Sequence, residues 1–168
     1  MIILGIDPGL NATGYGVIDA QGGRWTLVTA GDLRPSRQRP LAERLAFIHE
    51  GLTALIRRCH PQTAVLEMIF THQAYQATAA LMAHARGVAC LAVQEQGLAM
   101  AEYPPARIKQ ALTGHGAASK AQVARMVEQW LGVADPSWSA DATDALALAL
   151  AHAHMDAQRR RLPAGTIR

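Results

Sequence analysis

A chain of 168 residues, 50% hydrophobic and 17% charged, has enough apolar side chains for one cored domain and too many for a disordered chain. Its longest apolar run, Ala145 to Ala151, is far below the roughly 20 residues of a membrane span, and the MIILGI start lacks the basic flank of a signal peptide, so a cytoplasmic protein without membrane association is expected. The net charge of +3 permits a nucleic-acid partner without demanding one.

In chain order, residues 2–7 (IILGID) and 13–19 (TGYGVID) are rich in β-branched and aromatic residues and flank Pro8-Gly9 and Asn11, which predicts two antiparallel strands. Residues 25–32 predict a third strand after Gly22-Gly23. From Pro40 to about Cys59 the period becomes helical: Leu41, Leu45, Ile48, Leu52, Leu55 and Ile56 share a face, with Pro40 in the first turn and His60-Pro61 as the stop. TAVLEM (63–68) is apolar without alternation, the pattern of a strand buried on both faces. An Ala-rich helix over about 75–96, a strand over 99–103 and a helix opened by Pro104-Pro105 follow. After the Gly-rich break at 112–119, Ser119 N-caps a helix over 120–131 that ends at Gly132. The last helix runs from about Ser139 to Asp156. The reading is one mixed α/β domain over 1–158 and a basic tail, 159–168, expected to be mobile.

Four carboxylates sit where carboxylates are unusual. Asp7 ends an apolar strand, Glu67 interrupts the buried run AVLEMIF, and Asp141 and Asp144, three apart, open an apolar helix and point to nearly the same side. Each has an ordinary alternative: a turn acid, a strand-end Glu reaching solvent, and acids complementing a helix dipole. Taken together they have no basic residue beside them in sequence, so their cluster needs hard divalent cations, and oxygen-only ligation suits Mg²⁺ or Mn²⁺. Paired ions of this kind serve phosphoryl chemistry. Cys59 and Cys90 lack metal-ligand spacing and read as reduced, buried thiols, and no His pair has a third partner for zinc. Of 16 basic residues the only lysines are Lys109 and Lys120.

GIDPG with TGYGV, the strand-end Glu67, ARIKQALTGHGAASKAQV and DATDALALALAHAH occur in one order over residues 1–155. In these motifs the chain resembles RuvC-type Holliday junction resolvases of the ribonuclease H-like superfamily. The resemblance implies a mixed five-stranded sheet, three antiparallel strands first, flanked by helices. It implies that Asp7, Glu67, Asp141 and Asp144 bind two Mg²⁺ per subunit, with Mn²⁺ able to substitute. An arrangement with Asp7 between two ions, Glu67 on one side and Asp141 and Asp144 on the other, is one apportionment, and the sequence does not fix which acid binds which ion. It further implies a homodimer that nicks four-way junction DNA symmetrically, leaving 5′-phosphate and 3′-hydroxyl ends, and that works with a RuvA–RuvB branch-migration complex. Lys109 and Lys120 match the family's lysines beside the scissile phosphate, Phe70 matches an aromatic that contacts unpaired bases, and Arg107 is a further phosphate candidate. The Gly-rich segment from Thr113 to Ala118 offers backbone N–H groups to phosphate or is a plain loop, and the Ala-rich helix 75–96 is a candidate dimer interface or a plain core helix. After Glu67 the run Met68-Ile69-Phe70 departs from the family's Glu-Gln-x-Phe, which leaves the cleavage-site preference open.

Two other readings compete. An actin-like ATPase needs a second phosphate-binding lobe and about twice this length. Another ribonuclease H-like nuclease, acting on other branched DNA or on RNA, fits the acids equally, and only the lysine-bearing segment argues against it.

Overall fold

The computed structural model describes residues 1–68, 76–134 and 136–161. Among them are the strands β1 (Ile2–Asp7), β2 (Thr13–Gln21), β3 (Arg24–Leu33), β4 (Thr63–Glu67) and β5 (Ala99–Tyr103). The helices are α1 (Leu41–Cys59), α2 (Gln76–Glu95), α3 (Pro105–Thr113), α4 (Lys120–Leu131) and α5 (Ala140–Arg161). The sheet order is β3-β2-β1-β4-β5. β1–β2 and β2–β3 pair antiparallel, while β4 joins β1 and β5 joins β4 in parallel. This is the mixed five-stranded sheet with three antiparallel strands first.

The two-residue period of the strands divides two cores. Leu4, Ile6 and Leu66 turn toward α1 and α2, whereas Ile3 and Val65 turn toward α3, α4 and α5. β1 and β4 are therefore buried on both faces, which is why they read as unbroken apolar runs. α5 crosses the sheet at van der Waals distance because β1 and β2 present glycines to it. A Cβ on Gly5 would lie 1.8 Å from the carbonyl oxygen of Ala145, and one on Gly14 would lie 2.1 Å from that of Asp141.

Several ends differ from expectation. α5 continues to Arg161, supported by the Asp156–Arg160 ion pair at 2.9 Å, so residues 159–161 are helical rather than tail; residues 162–168 lie outside the described residues. Pro40 is the N-cap of α1 rather than part of its first turn. Ser119 does cap α4, in a reciprocal capping box with Gln122, and Gly132 ends that helix in the left-handed conformation. No described helix is long and apolar enough to cross a membrane.

Candidate active site

Parallel pairing brings the first two acids together. Ile6 is in register with Leu66, so Asp7 and Glu67 are neighbours at the carboxyl ends of β1 and β4, where open α/β sheets place their ligands. Strand alternation turns both toward α5, on the side of Ile3, Gly5 and Val65. Asp7 is also in register with Gly14, and the backbone of Asp141 lies directly over Gly14. The first turns of α5 thus carry Asp141 and Asp144 over the ends of the strands. Asp7 is the last residue of β1 rather than a turn acid.

The carboxylates act on one another. Burial, then Asp144, Asp141 and Glu67, push the Asp7 carboxyl up to about 7, with Lys120 opposing. Glu67 is raised by burial and Asp144, against the pull of Lys120, Lys109 and Arg86. Lys120 Nζ donates to Asp144 Oδ2 at 2.8 Å, and this bond raises the lysine. Concentrated negative charge and an all-oxygen donor set fit a hard divalent cation. As the side chains stand, no three His, Cys, Asp or Glu among the described residues are close enough to enclose an ion, so ligation requires rotation of the carboxylates toward one another.

Lys120 and Lys109 both act on Glu67, although they start from different helices. Arg107 is not brought to the acids. Two residues apart on a helix point to opposite sides, and Arg107 instead lines a hollow of about 290 Å³ with Gln110, His154 and Gln158 near the far end of α5. In the Gly-rich segment, the N–H groups of His115 and Ala118 are taken up by Thr113 Oγ1 and the His115 carbonyl, which leaves them unavailable to phosphate in this arrangement. Phe70 lies outside the described residues.

Four supporting residues were not legible in the sequence as parts of the site. Ser139 caps α5, accepting from the Ala142 N–H at 3.1 Å and donating to Asp32 Oδ1 at 2.6 Å. Asp32, on β3, is thereby the anchor for the helix end that carries Asp141. Arg34 pairs with Asp32 at 3.0 Å and approaches Asp141 to 3.8 Å. From α2, Arg86 donates to the Glu67 carbonyl and to the Glu102 carboxylate. The available signal for Arg86 was its isolation, as the one charged residue between Gln76 and Gln94.

The family model of the crossover junction endodeoxyribonuclease RuvC matches residues 3–152. A protein of that name from Halorhodospira halophila is 51% identical over 152 residues, covering 90% of this chain and 89% of the relative. The RuvC structure from Thermus thermophilus superimposes with a TM-score of 0.87 at 33% identity, over 95% of this chain and 97% of that one. The T. thermophilus RuvC in complex with Holliday junction substrate gives a TM-score of 0.88 at 33% identity, over 95% and 96%. The sheet is that of the ribonuclease H-like resolvases. With its carboxylates gathered over the ends of β1 and β4, this chain belongs to the RuvC family of crossover junction endodeoxyribonucleases.

Proposed function

We infer that this chain is a divalent-metal-dependent endonuclease that resolves four-way DNA junctions. The observation that carries the reading is the meeting of Asp7, Glu67, Asp141 and Asp144 at the carboxyl ends of β1 and β4 with Lys120 bonded to Asp144. In this reading the four acids hold two Mg²⁺, for which Mn²⁺ substitutes. When bound, the ions lower the pKa of an attacking water and stabilise the leaving oxygen of an in-line displacement. Asp7 and Glu67, raised first by burial and then by neighbouring carboxylates, are held ready to exchange protons for metal. Lys109 and Lys120 supply fixed positive charge beside the scissile phosphate and steady its developing charge. The products carry 5′-phosphate and 3′-hydroxyl ends, and Phe70 contacts bases at the crossover.

Two symmetric nicks call for two subunits. Leu81 and Leu91 on α2 are 49% and 50% exposed, and Gly87 between them faces open space. Gly87 and Leu91 share one exposed side of α2, with Leu81 at its margin; this side is suited to close approach of the same helix from a second copy, and Leu91→Glu should yield a monomer by sedimentation. A RuvA–RuvB complex is the branch-migration partner in this reading.

The test is cleavage of a synthetic mobile four-way junction and of linear duplex, in Mg²⁺ and in EDTA. Paired symmetric nicks only in the junction with Mg²⁺ are expected, and Asp7→Asn should bind the junction without cutting it. Equal cutting of linear duplex, or cutting undiminished by EDTA, would overturn the reading.

A further inference from the structure

Glu67 stands at the end of β4, beyond Leu66, the last β4 residue in register with β1. Its side chain faces α5 and its backbone pairs with Tyr103 of β5 on one side, where the Met68 N–H donates to the Tyr103 carbonyl, but no β1 partner holds it on the other, so a further restraint must come from the opposite face. Arg86 does so from the α2 side. Ala85 and Ala89 are fully buried, and these small side chains seat α2 tightly, so that the Arg86 stem reaches the strand ends with the side chain only 15% exposed. One Nη donates to the Glu67 carbonyl and the other to Glu102. Glu102, on β5, is in register with Leu66 and therefore shares the α2 face, away from the four acids. It cannot serve as a ligand on the α5 side from there. Its effect is to orient the guanidinium, whose planar fork fits a carboxylate and a carbonyl at once.

We propose that Glu102 and Arg86 form a positioning relay that fixes the main chain of Glu67 from the face opposite the acid cluster, and so sets the carboxylate of Glu67 for metal binding. The proposal rests on the reading of the four acids as the metal site. Arg86 touches neither metal nor DNA in it and is a positioning residue. An ammonium has donors enough for two acceptors but lacks the rigid planar fork that fixes their directions, so lysine restores part of the effect. Because Glu102 acts only through Arg86, removing both should cost no more than removing Arg86 alone.

The experiment measures Mn²⁺ binding by electron paramagnetic resonance and single-turnover junction cleavage for the full chain and for Arg86→Met, Arg86→Lys, Glu102→Gln and Arg86→Met/Glu102→Gln. Arg86→Met should weaken Mn²⁺ binding and slow cleavage by about tenfold or more, with junction affinity within threefold of the parent. Arg86→Lys should fall between, and the double variant should match Arg86→Met. Parent-like Mn²⁺ binding and cleavage in Arg86→Met overturn the proposal, as does a double variant whose losses multiply. If Arg86→Met does not fold, Arg86→Lys and Glu102→Gln decide alone: each should weaken Mn²⁺ binding without loss of junction affinity, and parent-like binding in both overturns the relay. Failure of the underlying reading looks different, since then the parent binds no Mn²⁺ or Asp7→Asn binds it equally well.

Discussion

Lys120 Nζ and Asp144 Oδ2 are 2.8 Å apart, which joins the first residue of α4 to the start of α5 across the mouth of the acid cluster. The lysine side chain is 83% exposed, so the pair adds about 0–1 kcal/mol to stability at most. Its value is positional: the ammonium is held where the negative charge of Asp144, Asp7 and Asp141 converges.

Lys120→Met should therefore slow junction cleavage by about 100-fold while leaving Mn²⁺ binding unchanged or tighter, because a cation competing for Asp144 is gone. Single-turnover kinetics beside a Mn²⁺ titration check this. A fall in metal affinity matching the fall in rate would mean that the lysine only holds the site together.

The raised carboxyl of Asp7 makes a stability prediction with a definite sign. Its folded value of about 7 exceeds the ordinary 3.8, so the folded chain holds this proton more tightly. The resulting stability is complete below about pH 3.8 and is lost as the pH rises through about 7. In EDTA, Asp7→Asn should thus be more stable than the parent at pH 7.5, by about 1–3 kcal/mol, and the difference should close toward pH 4. Urea unfolding across that range measures it, and a difference independent of pH would contradict the electrostatic origin.

The contact between α5 and the sheet leaves no room for a methyl group at Gly5, whose Cβ would stand 1.8 Å from the Ala145 carbonyl oxygen. Backbone cannot give way as a flexible side chain does. Gly5→Ala should cost about 3 kcal/mol or more, seen as a large fall in the thermal midpoint or as insoluble protein.

Ser139 bonds both the α5 N-terminus and Asp32. Ser139→Ala should cost about 1 kcal/mol in urea unfolding and also slow cleavage several-fold, because the cap fixes the turn that carries Asp141. Loss of stability with an unchanged cleavage rate would separate the cap from the site.

The order of strands and helices, the cap at Ser119 and the four unusual acids were all legible in the residues. Each follows from local chemistry: hydrophobic period, a capping side chain, or a charge set in an apolar run. What local chemistry does not encode is which strand lies beside which, and how close a helix comes. Parallel pairing of β1 with β4 makes neighbours of Asp7 and Glu67, 60 residues apart in number, and Gly5 and Gly14 allow α5 to bring Asp141 and Asp144 over them. Arg107 went the other way, since two residues on a helix are enough to separate it from Lys109 and turn it to the far end of α5. Ser139 was legible as a helix start, but it and Arg86 and Asp32 became visible as parts of the site only once the sheet was assembled, because hydrogen bonds to a backbone carbonyl or to a side chain on a distant strand leave no pattern in the sequence. The net charge of +3 also takes on a different meaning. Composition alone made the chain mildly basic; the tertiary structure gathers four acids at the carboxyl ends of β1 and β4 and leaves a balance of +7 elsewhere for DNA.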